Sequence, residues 1–160
     1  MSHINRALLY KAIVSLLILG CMALVVSACR SDEGVKEVDQ STPEATVRAM
    51  YQALEQADPQ LLESLIAPTD PSRKTMADAV KRMKSSGVTA EFINSEIHVI
   101  SNDGQTALLS ATGHSRLLKG KDVIWDDNGE GSSDYTLTQL DGKWYLVGLG
   151  QWPSPGFIKP

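Results

Sequence analysis

The stretch Thr42-Pro43-Glu44-Ala45-Thr46-Val47-Arg48-Ala49-Met50-Tyr51-Gln52-Ala53-Leu54 decides how the rest of the chain is read. Thr42 is a capping residue, Pro43 suits the first helical position, and Glu44 places a negative charge in the first turn, where the helix dipole favours it. Val47, Met50, Tyr51 and Leu54 recur at i, i+3, i+4 and i+7, the spacing of one apolar helical stripe. Asp58-Pro59 repeats the cap-then-proline signal before a short helix whose inner face is Leu61, Leu62, Leu65 and Ile66. Pro68, Asp70 and Pro71 end that helix. A third helix is predicted from about Pro71 to Ser85, with Met76, Val80 and Met83 inward and Gly87 as its stop.

Beyond Gly87 the periodicity changes from 3.6 to 2. Val88 to Ile100 is rich in β-branched residues, Asn102-Asp103-Gly104 is a turn, and Gln105 to Leu118 alternates through Leu109, Ala111 and Gly113. Gly120 to Ser133 is rich in loop residues, with a short strand at Val123-Ile124-Trp125 and a turn at Asp126-Asp127-Asn128-Gly129. Asp134 to Leu140 alternates again, Asp141-Gly142 turns the chain, and Lys143 to Leu149 is the last strand. Helices first and an antiparallel meander after them make an α+β domain over residues 42–151. The tail 152–160, beginning Trp152-Pro153-Ser154-Pro155, extends neither a helix nor a central strand.

Upstream, residues 1–28 have the parts of a secretory signal. Arg6 and Lys11 form a basic start, Ala12 to Val26 is apolar, and Ser27-Ala28 are small enough for a signal peptidase. Cys29 follows at once, so Val26-Ser27-Ala28-Cys29 resembles the bacterial lipobox, in which the thiol receives a diacylglyceryl group before cleavage. Two or more acyl chains make a stable anchor where one does not. The competing reading, a transmembrane helix over Ala12 to Ala28, spans only about 25 Å against a hydrocarbon core of about 30 Å. Residues 29–41 then read as a charged, flexible tether. Arg30 after the lipidated cysteine resembles the sorting pattern for the outer membrane, facing the periplasm, in a host with two membranes.

Removing residues 1–28 from the 160 leaves 132, enough for a single core. The signal holds two of the 15 basic residues and none of the 19 acidic ones, so the mature chain carries a net charge of −6. That balance argues against nucleic acid as a partner. The cations at Arg73-Lys74 and Lys81-Arg82-Lys84 read as a solvated helix face. Cys21 lies in the signal and Cys29 is the lipid site, so the mature domain offers no thiol for a disulfide, a zinc site or a nucleophile. No cofactor motif is present.

Two segments carry a family likeness. Thr42 to Leu54 with Ala57-Asp58 resembles the first helix of the nuclear transport factor two-like, or ketosteroid-isomerase-like, superfamily. Leu140-Asp141-Gly142-Lys143-Trp144-Tyr145-Leu146-Val147 resembles its closing hairpin, whose tryptophan packs into the fold. The likeness covers roughly Ser41 to Gln151 and is closest to small bacterial lipoproteins with no assigned activity. It implies a cone, with a curved sheet wrapped round the first helix and a cavity at the open end that binds a small apolar ligand, hosts acid–base chemistry or is filled by side chains.

Tyr51, His114, Trp125 and Trp144 are the candidate cavity residues, with Trp144 also read as core and Trp125 and Trp152 as an apolar rim. Glu91, Glu96, His98, His114 and Asp134 are the ionisable groups on predicted strands. His114 near a strand end and Glu91 are the candidate bases, but no acid–base pair follows from spacing, and no catalytic residue is assigned. Asp134 reads as a turn residue opening its strand. Asp126-Asp127-Asn128-Gly129-Glu130 has the composition of a calcium loop without its alternating ligand spacing, so it reads as a tight turn, and no metal set is assigned. The expected function is a lipid-anchored, non-enzymatic envelope module that binds a small apolar ligand or an envelope protein. The alternatives are an isomerase-like enzyme of the cone type and a structural role in an envelope complex.

Overall fold

A computed structural model of the chain describes residues 38–129 and 131–149. The signal segment, Cys29, Arg30 and the tail with Trp152 lie outside them. Contacts divide the chain into residues 1–37 and a unit beginning at Val38. In that unit, α1 (Pro43–Glu55), α2 (Pro59–Leu65) and α3 (Ser72–Ser85) precede β1 (Val88–Asn102), β2 (Thr106–Lys119), β3 (Asp122–Asp126), β4 (Gly131–Leu140) and β5 (Lys143–Val147). The α+β expectation holds. Among the described residues no helix is long and apolar enough to cross a membrane.

The helix starts are built as their residue types require. Thr42 Oγ1 accepts the Ala45 N–H at 3.1 Å. Asp58 Oδ1 accepts the N–H groups of both Gln60 and Leu61 at 3.0 Å. Val47, Met50, Ala53 and Leu54 of α1 are buried in the same core as Leu62, Leu65, Met76 and Val80 from the other helices.

The sheet is antiparallel with the order β1-β2-β4-β5. Apart from register shifts in the β1–β2 and β2–β3 pairings, alternate residues fall on opposite faces. Ala107 faces Leu137, Leu109 faces Tyr135, and Leu137 faces Leu146 across the strands, all buried beneath the helices. β2 organises the sheet because it is long enough to pair twice along one edge. Thr106 to Gly113 pairs with β4, and Arg116 to Lys119 pairs with β3, while β1 lies along the other edge. β1 bends through a bulge between Ile93 and Glu96, where Asn94 takes a φ of 52°.

The domain begins earlier than the expected boundary at residue 42. Gln40 is buried, its side-chain amide donates to the Trp144 carbonyl at 2.8 Å, and its own carbonyl accepts the Trp144 N–H at 2.9 Å. Ala67 N–H donates to the Leu146 carbonyl at 3.0 Å. These two segments cover the free edge of β5, which explains why residues 38–41 are part of the fold rather than tether. β4 also starts at Gly131 rather than Asp134, because Gly131, Ser132 and Ser133 pair with Gly113, Thr112 and Ala111. The last strand stops at Val147, and Gly148 leaves it at a φ of 72°.

Candidate functional site

The register sorts the candidate residues onto two faces. On the helix-facing side, Phe92 lies opposite Ser115, Leu117 lies opposite both Ala90 and Trp125, and Ser133 lies opposite Ala111. Tyr51 reaches down from α1 onto this face. Its ring stacks on Phe92 with centroids 4.1 Å apart and meets the edge of Tyr135 at 6.3 Å. The Tyr51 and Tyr135 hydroxyls are 3.5 Å apart. Leu109, Leu137 and Leu146 are sealed in, but Tyr51, Phe92, Ser115, Trp125 and Ser133 keep partial exposure. The accessible part of the inner face is therefore an aromatic and hydroxyl patch around α1.

Burial pushes the Tyr51 phenol well above its ordinary value, and its contact with Tyr135 pushes in the same direction. Burial also raises Tyr135, partly offset by hydrogen bonds with Tyr51 and Ser133. Both phenols are therefore neutral at physiological pH and can donate or accept a hydrogen bond.

Several expected placements need correction. The candidate bases, His114 and Glu91, are on the other face. His114 pairs in register with Ile93, one residue from the inward Phe92–Ser115 pair, and Glu91 pairs with Arg116. Glu96 opposite Thr112 and His98 opposite Ser110 are also outward, as is Asp134, which sits in mid-strand opposite Ser110 rather than at a turn. None of these five residues is directed to the helix side. His114 is likewise not near a strand end but within β2, where its pairing with Ile93 of β1 fixes its direction. The apolar rim expected at Trp125 is displaced to its neighbours. Trp125 packs against the core, and Val123 and Ile124 are the exposed apolar residues of β3. Trp144 is buried in the core cluster, with no share in the accessible patch.

The outward face carries a row of charge. Arg116 Nη2 and Nε donate to Glu91 Oε2 at 2.6 and 3.0 Å. His114 Nε2 lies 2.7 Å from Asp126 Oδ1, and the Asn128 N–H donates to that same oxygen at 2.6 Å. The hydrogen bond from His114, helped by Asn128, holds the Asp126 carboxyl below the usual aspartate range. Asp127 Oδ2 accepts the Ser115 N–H and Asp127 Oδ1 the Gly129 N–H, each at 2.9 Å. The expected tight turn at Asp126-Asp127-Asn128-Gly129 is present and is also bonded across to β2.

No protein-family model matches the chain, nor does any curated protein at a significant level. Solved structures do match. A candidate dehydratase of the NTF2-like family from Streptomyces avermitilis is similar at a TM-score of 0.52 and 19% identity, over 68% of this chain and 89% of that one. A Mycobacterium tuberculosis protein of unknown function is similar at 0.52 and 11% identity, over 65% of this chain and 64% of that one. A Nostoc punctiforme domain of unknown function with a cystatin-like fold reaches 0.50 at 18% identity, over 65% of this chain and 70% of that one. The chain has the NTF2-like, cystatin-like fold. At these identities the likeness fixes architecture and leaves function to the residues.

Proposed function

We propose that the protein is a lipid-anchored, non-enzymatic binding module whose helix-facing aromatic patch holds a small apolar ligand. The observation that carries the binding reading is the sorting of ionisable groups. The accessible inner face offers Tyr51, Phe92 and Trp125, backed by the buried Tyr135, with the hydroxyls of Ser115 and Ser133, while Glu91, Glu96, His98, His114 and Asp134 project from the opposite face. Such a surface can bury an apolar ring or chain and bond one oxygen of it. Both phenols are neutral, and the carboxylate that reaches this patch, Glu55, is engaged through Oε1 by the Phe92 N–H at 3.4 Å. The isomerase-like alternative loses the bases it depended on, His114 and Glu91.

The anchor is supported by Val26-Ser27-Ala28-Cys29 and its flanks, and Arg30 supports the outer membrane in a two-membrane host. An envelope protein remains the other partner class that such a tethered domain would serve.

Binding is tested by titrating the protein with an apolar fluorescent probe and with a panel of aromatic and acyl ligands. Saturable binding weakened by Phe92→Ala and Tyr51→Ala is expected. Uniform failure to bind, or turnover of any ligand, defeats the reading. The anchor is tested separately by intact mass: the membrane-extracted protein should begin at an acylated Cys29, and any other terminus rejects it.

A further inference from the structure

The geometry points to a divalent transition-metal site on the outward face, formed by His114, Asp126 and Asp127, with zinc as its representative ion. It is independent of the inner-face reading and uses none of the residues that reading invokes.

One ligand atom from each of the three residues lies within 4.8 Å of the other two. His114 Nε2 is 2.7 Å from Asp126 Oδ1 and 3.8 Å from Asp127 Oδ1. In a tetrahedral zinc site with bonds of 2.0 to 2.2 Å, neighbouring ligand atoms stand about 3.3 to 3.5 Å apart, between those two separations. Small side-chain rotations therefore reach the metal geometry.

The charge balance favours a cation. A single imidazole stands between two carboxylates, and its Nε2–H bonds only the nearer. Asp127 is the more enclosed of the two, with its side chain only 12% exposed. The neighbouring cation, Arg116, is held by Glu91 through two hydrogen bonds. An imidazole with two carboxylates suits a borderline ion such as zinc, cobalt or nickel better than calcium, which prefers an all-oxygen shell.

The scaffold supports the ligands from two elements. His114 is fixed within β2, and the carboxylates are fixed by backbone donors, Asn128 to Asp126 and Ser115 with Gly129 to Asp127. Gly131 leaves room for the Asp127 carboxylate, because a Cβ there would clash with Asp127 Oδ2. Partial exposure of His114 and Asp126 leaves room for water to complete the shell. On binding, Nε2 gives up its proton and coordinates through its lone pair. The neutral ring keeps its one proton on Nδ1, and a ring that starts protonated releases one to solvent.

The test uses membrane-extracted protein stripped with a chelator. Isothermal titration with zinc chloride should give one ion per chain, and cobalt should give visible absorption from a site with nitrogen and oxygen ligands. His114→Ala and Asp127→Asn should each weaken zinc by at least about tenfold, the scale on which losing even a supporting contact is felt. His98→Ala should change nothing, since His98 with Glu96 forms the other histidine–acid pair among the described residues and is largely exposed. Absence of zinc and cobalt binding by the unaltered protein overturns the proposal, as does binding that survives Asp127→Asn or is lost in His98→Ala. Should His114→Ala fail to fold, the cobalt spectrum and Asp127→Asn decide it alone.

Discussion

The two faces of β2 belong to one strand and obey different rules. Ala107, Leu109, Ala111 and Leu117 point toward the helices and are buried, whereas Thr112, His114 and Arg116 point away and are bonded to carboxylates or open to water. A two-residue period guarantees the separation, and a shift of one residue would exchange the faces entirely. The comparison shows why chemistry cannot be assigned here by residue type. His114 is a plausible base by composition, yet its parity sends it away from the enclosed side.

The largest effect should come from the inner face. Leu109→Ala, at a fully buried position, should cost about 2–5 kcal/mol in urea unfolding. Ser110→Ala on the next residue should stay within about 0.5 kcal/mol. Equal losses at the two positions would break the contrast between the faces. Gly113→Ala should follow, at about 1–3 kcal/mol. Gly113 adopts a φ of 152°, and an added Cβ would lie 2.9 Å from the Ser95 Cα in the bulge of β1.

Acid should produce a smaller, directional effect. Burial alone would raise the Asp70 carboxyl, but hydrogen bonds from Ser72 and the Gly148 N–H outweigh it and hold Asp70 below the usual range. A depressed carboxylate contributes stability above its unfolded pKa, and that contribution disappears as pH falls through the folded value. Asp70→Asn should therefore flatten the acid side of a melting-temperature profile while the profile keeps its shape at neutral pH. The smallest effect belongs to the outward ion pair. Glu91→Gln should cost no more than about 1 kcal/mol and less in high salt, because both Glu91 and Arg116 are partly exposed. A cost as large as that of Leu109→Ala would show that the outward face also carries the fold.

Most of the fold was legible because its signals are local. Thr42-Pro43 and Asp58-Pro59 announce helix starts, the stripe through Val47, Met50 and Leu54 announces a buried face, and Asn102-Asp103-Gly104 and Asp141-Gly142 announce turns. The boundaries that moved did so through distant partners. Gln40 is ordered by Trp144, 104 positions away, and Gly131 to Ser133 become strand by pairing with β2. The candidate site was less legible for the same reason. Tyr51 was recognised, but Phe92 and Tyr135, which complete its cluster, are ordinary strand aromatics until the register is known. His114 and Asp126 were both noticed, one as a lone base and the other as a turn residue. Their spacing of 12 positions matches no motif and becomes a contact only when β3 folds back onto β2.

By itself the sequence determined the order of helices and strands, the apolar stripe of α1 and the negative charge, because caps, periodicity and composition are short-range properties. Only the tertiary structure decided which side of the sheet each ionisable residue occupies, and that His114, Asp126 and Asp127 converge. Strand register and the bulge in β1 set those directions, and both depend on pairing between segments far apart in the chain.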